Sequence, residues 1–282
     1  MKVFVIGVGL IGGSLATDIK VAYNEAVIYG VDANANNLVK AKDLGFIDKN
    51  ATFADLYQAD VVIVAIPVNS VHKILPQVLD LVTKDCLVFD VGSTKEKLCK
   101  QVENHKNRAC YVAAHPIAGT EFSGPTAALA NLFRGKANIV CEIEKTGKKQ
   151  KELALQIFNR LGMRLRFMEA AAHDKHIAYV SHLSHVSSFM LGKTVIEKEK
   201  NERDIFDMAG SGFASTVRLA KSSPAMWTPI FSQNKENVVE ALGEYIDNLI
   251  AFKEMMEQDN DEAIFEEMTN TNRIRTILDG IG

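Results

Sequence analysis

The chain has 282 residues, enough for one large or two ordinary domains, and with 47% hydrophobic residues it can bury a large core. A formal net charge of −3 argues against broad nucleic-acid or membrane-surface binding. Four scattered cysteines (Cys86, Cys99, Cys110, Cys141), with no CxxC pair, fit reduced thiols in the cytoplasm better than a disulfide framework.

No apolar run approaches the length of a membrane span. Residues 2–6 form a short β-branched run, read as a strand rather than as part of a signal peptide, because four glycines follow between Gly7 and Gly13. The segment Gly7-Val8-Gly9-Leu10-Ile11-Gly12 comes next, and residues 13–19 read as a helix. Residues 27–31 are a second strand ending at Asp32, 20 residues after Gly12. In this setting Gly7 makes a tight turn, Gly9 lets the backbone approach a pyrophosphate, and Gly12 lets helix and strand pack closely. The helix start offers free N–H groups and a positive dipole end. Asp32 can accept hydrogen bonds from both hydroxyls of an adenosine ribose. Glycine clusters also make ordinary turns. Strand, turn, helix, strand and acid in this order point to dinucleotide binding. Asp32 would repel a 2′-phosphate and residues 33–37 contain no arginine to receive one, which favours NAD over NADP.

Strand and helix keep alternating up to Glu169. Residues 61–65 are a third strand, followed by Ile66-Pro67-Val68. Ser70 is placed to cap a helix over 71–81 that Pro76 should kink or shorten. Residues 86–90, 109–113, 138–141 and 164–168 are four further strands, with a helix over 148–161 between the last two. Such continuous apolar strands imply a buried, mostly parallel, doubly wound sheet. From Ala170 onward the periodicity is helical. The expected fold is therefore α/β over residues 1–169 and all-α over 170–282. Val238, Leu242, Tyr245, Leu249, Phe252 and Met256 form a heptad-like seam, read first as a core helix and second as a subunit interface. The charge run from Glu197 to Asp204 reads as a solvated helix end or loop.

In a doubly wound sheet, ligands bind outside the carboxyl ends of the strands. Three polar clusters fall there: Ile66-Pro67-Val68, Asp90 to Lys95 with Ser93, and His115 to Gly124 with Thr120 and Glu121. The last could be a simple Pro/Gly turn, but its place beside a cofactor site favours function. In the helix after His173, Ser181, His185 and Ser188 are spaced i, i+4 and i+7, as one wall of a pocket would be. A zinc site is the rival reading. His182 and His185 lack a Glu or Cys partner, so no metal is expected. Arg218, downstream of Gly210-Ser211-Gly212-Phe213, could hold a carboxylate, although most arginines are simply surface residues. Trp227, the single tryptophan, reads as a core anchor.

Together the motifs Gly7 to Ser14, Asp90 to Lys95, His115-Pro116-Ile117-Ala118-Gly119-Thr120-Glu121, Ser181-His182-Leu183-Ser184-His185 and Arg218 through Trp227 resemble the prephenate/arogenate dehydrogenase family over essentially the whole chain. The resemblance implies NAD or NADP on an N-terminal Rossmann domain, a helical domain that dimerises, and an active site between them. It implies His115 as the catalytic histidine on the substrate's ring hydroxyl and Ser93 as its orienting partner. Ser181 and His185 would contact substrate, with Thr120 in the same set. Arg218 would bind the side-chain carboxylate, and Glu121 would be a gate residue. Gly7, Gly9, Leu10, Ile11, Gly12, Asp32 and Pro67 would contact the cofactor. The implied reaction is an oxidative decarboxylation of prephenate, or of arogenate, without a metal. No appended mutase or regulatory domain is expected. Two positions depart from the family pattern. Ser184 replaces a usual proline, and Ala214-Ser215 stand where many relatives carry an acid, so a salt-bridged gate is not expected. The rival readings are a β-hydroxyacid-type dehydrogenase using Lys175 or Lys193, and an NAD-binding regulator without turnover.

Overall fold

The structure, a computed structural model, describes residues 1–120, 122–200 and 204–279. One sheet contains β1 (Lys2–Ile6), β2 (Val27–Val31), β3 (Lys49–Asn50), β4 (Val61–Val64), β5 (Leu87–Asp90), β6 (Tyr111–Pro116), β7 (Ala137–Cys141) and β8 (Arg164–Met168). Their spatial order is β3-β2-β1-β4-β5-β6-β7-β8. Every neighbouring pair is parallel except β6 and β7. The chain leaves β1 toward one edge and returns at β4 on its other side, so the switch point of the sheet lies between β1 and β4.

The helices α1 (Leu10–Ala22), α2 (Ala35–Asp43), α3 (Val68–Leu81), α4 (Glu96–Gln101) and α5 (Lys148–Arg160) alternate with these strands. Successive residues of β1 serve opposite cores. Val3 and Val5 join Leu15, Ile19, Phe89 and Phe158, while Phe4 and Ile6 join Val71, Leu75, Val88 and Tyr111. Burial on both faces is why these strands read as unbroken apolar runs. The edge strand β8 instead exposes Arg164 and Arg166, charges that discourage pairing with another chain.

Three local expectations change. The fifth strand, expected over 109–113, begins at Tyr111 after a 3-10 turn and runs through Pro116, because the antiparallel ladder with β7 extends to Pro116 opposite Asn138. His115 therefore sits inside a strand, not in the loop after it. The third helix begins at Val68 with Pro67 at its N-cap, so Ser70 is already helical. Pro76 neither ends nor shortens it. Its missing N–H would have served the His72 carbonyl, and that carbonyl accepts instead from Gln101 Nε2 at 2.9 Å.

After β8 the described residues hold only helices and turns: α6 (Ala170–Ile177), a π-helical turn (Ala178–His182), α7 (Leu183–Glu199), α8 (Ser211–Thr216), α9 (Pro224–Gln233), α10 (Lys235–Glu257), α11 (Asp261–Thr271) and α12 (Ile274–Leu278). The chain forms two compact units, Met1–Lys235 and Glu236–Gly282. Helices α6 to α9 belong with the sheet for physical reasons. Trp227 and Ile230 of α9 pack on Val68 at the start of α3. The Asp174 carboxylate of α6 accepts the backbone N–H groups of Lys95 and Glu96, at 2.7 and 2.9 Å, where α4 starts.

Candidate active site

The glycine turn sits at the carboxyl end of β1. Gly7 has φ of 91°, and a Cβ there would stand 2.4 Å from the Ala65 carbonyl oxygen, so only glycine fits. A Cβ on Gly12 would lie 1.9 Å from the Gly7 carbonyl oxygen. Gly9 differs, since its nearest neighbour would be 3.9 Å away. Among the described residues no atom requires glycine at position 9, and the space over it is open to a ligand. Gly9 is also the N-cap of α1, with no side-chain cap among the described residues and no acid in the first turn, which leaves the first N–H groups of the helix for a ligand. Asp32, at the end of β2, accepts from the backbone N–H of Val8 at 3.1 Å and of Asn34 at 2.8 Å, and from Asn37 Nδ2 at 3.2 Å. The acid is thereby tied to the glycine turn. This arrangement fits a dinucleotide whose pyrophosphate lies over Gly9 and whose ribose lies at Asp32. Pro67, exposed at the end of the β4 connection, borders the same switch point.

The second cluster lies under the ends of β5 and β6. Asp90 is fully buried and accepts from Tyr111 Oη at 2.6 Å, from the Gly92 N–H at 2.9 Å and from Lys95 Nζ. Lys95 Nζ also donates to the Ala114 carbonyl at 2.9 Å, directly before His115. His115 Nδ1 lies 2.8 Å from His173 Nε2, and His173 Nδ1 lies 2.7 Å from Asp174 Oδ1. Burial first, then the repulsion a protonated His115 would meet from His173, Lys95 and His182, holds its pKa well below the ordinary histidine value. His115 is therefore neutral near pH 7 and able to accept a proton. Ser93 is half-buried in the turn between Asp90 and Lys95. The ring contact His115 makes is with His173.

The third cluster is on the helical side. Ser181 lies in the π turn, and His185 and Ser188 lie in α7 after it. His185 Nδ1–H donates to the Ser181 carbonyl at 2.9 Å, and its ring stacks on Trp227 with centroids 3.4 Å apart. Ser188 is turned inward, its hydroxyl donating to the Thr216 carbonyl at 3.0 Å. Ser184, in place of the usual proline, turns its hydroxyl to the Val180 carbonyl at 3.3 Å. His182 is fully buried, accepts from Asn234 Nδ2 at 3.2 Å, and leaves Nε2 without a partner among the described residues. Its pKa falls to about 4, chiefly through burial. Arg218 is exposed in a 3-10 turn, has no ion pair among the described residues, and its charge lowers the pKa of His185 after burial has done so. The Thr120 hydroxyl accepts from the Phe122 N–H at 3.2 Å. Glu121 lies outside the described residues, as do residues 201–203 of the charge run. Lys193 is exposed and paired to Glu197 at 2.5 Å, away from these groups.

A doubly wound sheet with an open glycine turn at its switch point, and a half-buried neutral histidine two strands away, defines a nucleotide-dependent oxidoreductase. Two adjoining family profiles narrow this. "Prephenate dehydrogenase, nucleotide-binding domain" matches residues 15–167, and "Prephenate dehydrogenase, dimerization domain" matches residues 169–270. The chain belongs to the prephenate dehydrogenase family. It is 30% identical over 267 residues to the prephenate dehydrogenase of Bacillus subtilis, covering 93% of this chain and 72% of that one. It is 26% identical to the cyclohexadienyl dehydrogenase of Zymomonas mobilis, covering 97% and 94%. Among solved structures, prephenate dehydrogenase from A. aeolicus, in complex with hydroxyphenyl propionate and NAD+, superposes with a TM-score of 0.92. That pair shares 34% identity over 99% of this chain and 98% of the other.

Sequence reasoning gave no role to His173, Asp174 or His182, and read Trp227 only as a core anchor. The adjacent His173-Asp174 pair, in the middle of the first helix after the sheet, was a visible signal. Its partner His115 is 58 residues earlier, beyond any local pattern.

Proposed function

We propose that this chain oxidises and decarboxylates prephenate to 4-hydroxyphenylpyruvate and CO2, using NAD+. The observation that carries the reading is His115, held neutral at the end of β6 in a chain that both family profiles match. When bound, NAD+ supplies the hydride acceptor for the hydroxyl-bearing ring carbon. The protein's own work is binding, orientation and proton handling. Gly7, Gly9 and Gly12, with the N–H groups of Leu10 and Ile11, would hold the pyrophosphate, and Pro67 would flank it. Asp32 would take the ribose hydroxyls and exclude a 2′-phosphate.

His115 Nε2 accepts the proton of the ring hydroxyl as the carbon–hydrogen bond breaks. Ser93, in the turn after β5, orients that hydroxyl toward His115. Ser181, His185 and Thr120 line the ring, and Arg218 pairs with the side-chain carboxylate, with Glu121 as gate. The ring carboxylate leaves as CO2, and its bonding electrons complete the aromatic ring. Residues 1–169 serve the nucleotide, and residues 170–282 serve substrate and dimerisation. Four buried, unpaired thiols suit the reducing cytoplasm.

The test is absorbance at the reduced-nicotinamide band after adding NAD+ with prephenate, and in parallel with arogenate. Turnover of prephenate at the higher kcat/KM is expected. A strong preference for arogenate would move the assignment to that substrate, and no turnover of either would refute it.

A further inference from the structure

Resting on the reading of His115 as the base, we infer that His173 and Asp174 are positioning residues that lock His115 in the one neutral tautomer able to act. The inference follows from donors and acceptors alone. Asp174 Oδ1 and Oδ2 accept the backbone N–H groups of Lys95 and Glu96, which can only donate. With both oxygens committed as acceptors, the His173 Nδ1 facing Oδ1 at 2.7 Å must carry a hydrogen. A neutral imidazole has one N–H, so His173 Nε2 presents a lone pair. That lone pair faces His115 Nδ1 at 2.8 Å, and two bare nitrogens at this distance would repel. His115 Nδ1 therefore carries the hydrogen, and His115 Nε2 is the free acceptor.

The rest of the setting keeps the chain in this state. His173 and Asp174 are both buried, so water does not compete for their hydrogen bonds. The groups acting on His115 are His173 on α6, Lys95 before α4 and His182 in the π turn, with Asp174 behind His173. Lys95 is committed to Asp90 and to the Ala114 carbonyl, which fixes the backbone next to His115. When His115 Nε2 takes the hydroxyl proton, the ring becomes cationic. Its Nδ1–H points along the chain toward the Asp174 carboxylate, which favours the charge as it forms. Asp174 is also held from behind, since Asn234 Nδ2 donates to its backbone carbonyl at 2.6 Å. A side chain tied at this many points does not reorient during turnover.

Long-range 1H–15N correlation spectra of the 15N-labelled protein read this directly, with His115→Asn identifying the resonances of that ring. His115 should show Nδ1–H and a bare Nε2. His173→Leu removes the acceptor and should shift His115 toward the Nε2–H form, lowering kcat on the order of 10²–10⁴-fold while leaving the KM for NAD+ unchanged. Asp174→Asn should do the same. His173→Gln offers an amide N–H to Asp174 and a carbonyl to His115, and should restore both the tautomer and much of the rate. A merely structural role would not discriminate glutamine from leucine in the tautomer spectrum. A wild-type His115 in the Nε2–H form, or His173→Leu with tautomer and kcat unaltered, would overturn the inference. The spectrum does not depend on turnover. An unchanged kcat in His115→Asn would therefore sink the base assignment separately.

Discussion

Half-buried His115 and fully buried His182 are both neutral near pH 7, yet they do different things with pH. For His115 the consequence is catalytic. Its pKa lies well below the ordinary value of 6.5, chiefly through burial, so the acceptor form predominates at neutral pH. kcat should be level near pH 7 and fall only as pH drops through that depressed value. His115→Asn should cost on the order of 10²–10⁴ in kcat and abolish the acidic limb, as read by pH–rate profiles of both proteins. For His182 the consequence is stability. The unfolded chain takes up a proton near 6.5, the folded one only near about 4. Stability is therefore full above pH 6.5 and declines as pH falls from 6.5 to about 4. The slope for one such group is at most about 1.4 kcal/mol per pH unit. Denaturant titrations at pH 7 and pH 5 should show a smaller difference in His182→Gln than in the parent. At this scale the sequence was legible where the chain is local. Asp32 and the glycines declare themselves by spacing, whereas His115–His173 and Ser188–Thr216 are made by folding and left no periodic trace.

Among the elements, the β1–α1 turn separates two meanings of glycine that a GxGxxG pattern cannot. Gly12 is required by the fold, because its Cβ would strike the Gly7 carbonyl at 1.9 Å, and backbone does not yield as a side-chain tip would. Gly9 is free of such conflict. Gly12→Ala should lower the unfolding midpoint measurably even without coenzyme. Gly9→Ala should leave that midpoint nearly unchanged and weaken NAD+ binding, seen as a smaller stabilisation on adding NAD+. A Gly9→Ala protein that binds NAD+ as tightly as the parent would remove the pyrophosphate from that spot. The other elements were readable in kind and less so in extent. The fifth strand ran to Pro116 because a tertiary partner, β7, continued the ladder. The third helix passed through Pro76 because Gln101, on another helix, took the stranded carbonyl. In both cases the deciding atom lay outside the window a local pattern can see. The π turn at Ala178–His182 is likewise invisible to a pattern that assumes 3.6 residues per turn throughout.

For the whole molecule, the division into a doubly wound sheet followed by helices was legible because both halves have strong periods, two different ones. What the periods did not show is how much apolar surface the helical part leaves uncovered. On α7, Val180 just before it is 74% exposed, and Met190, Leu191 and Ile196 are exposed as well. On α10 to α12, Leu249, Ile250, Met256, Phe265, Met268 and Ile277 are exposed, Phe265 by 74%. Soluble single chains rarely leave so many large apolar side chains in water. The seam residues Leu249 and Met256, expected first as core, are among them, so the interface reading of that seam gains weight over the core reading. The matched profile over residues 169–270 is that of a dimerization domain. The protein should therefore be a homodimer joined through this region. Light scattering at micromolar concentration should return about twice the 31.0 kDa chain mass. Leu249→Glu with Phe265→Glu should shift the mass toward one chain, because charges buried in an apolar interface without partners are costly. A parent chain that is monomeric and fully active would sink the idea, and the exposed faces would then need another partner.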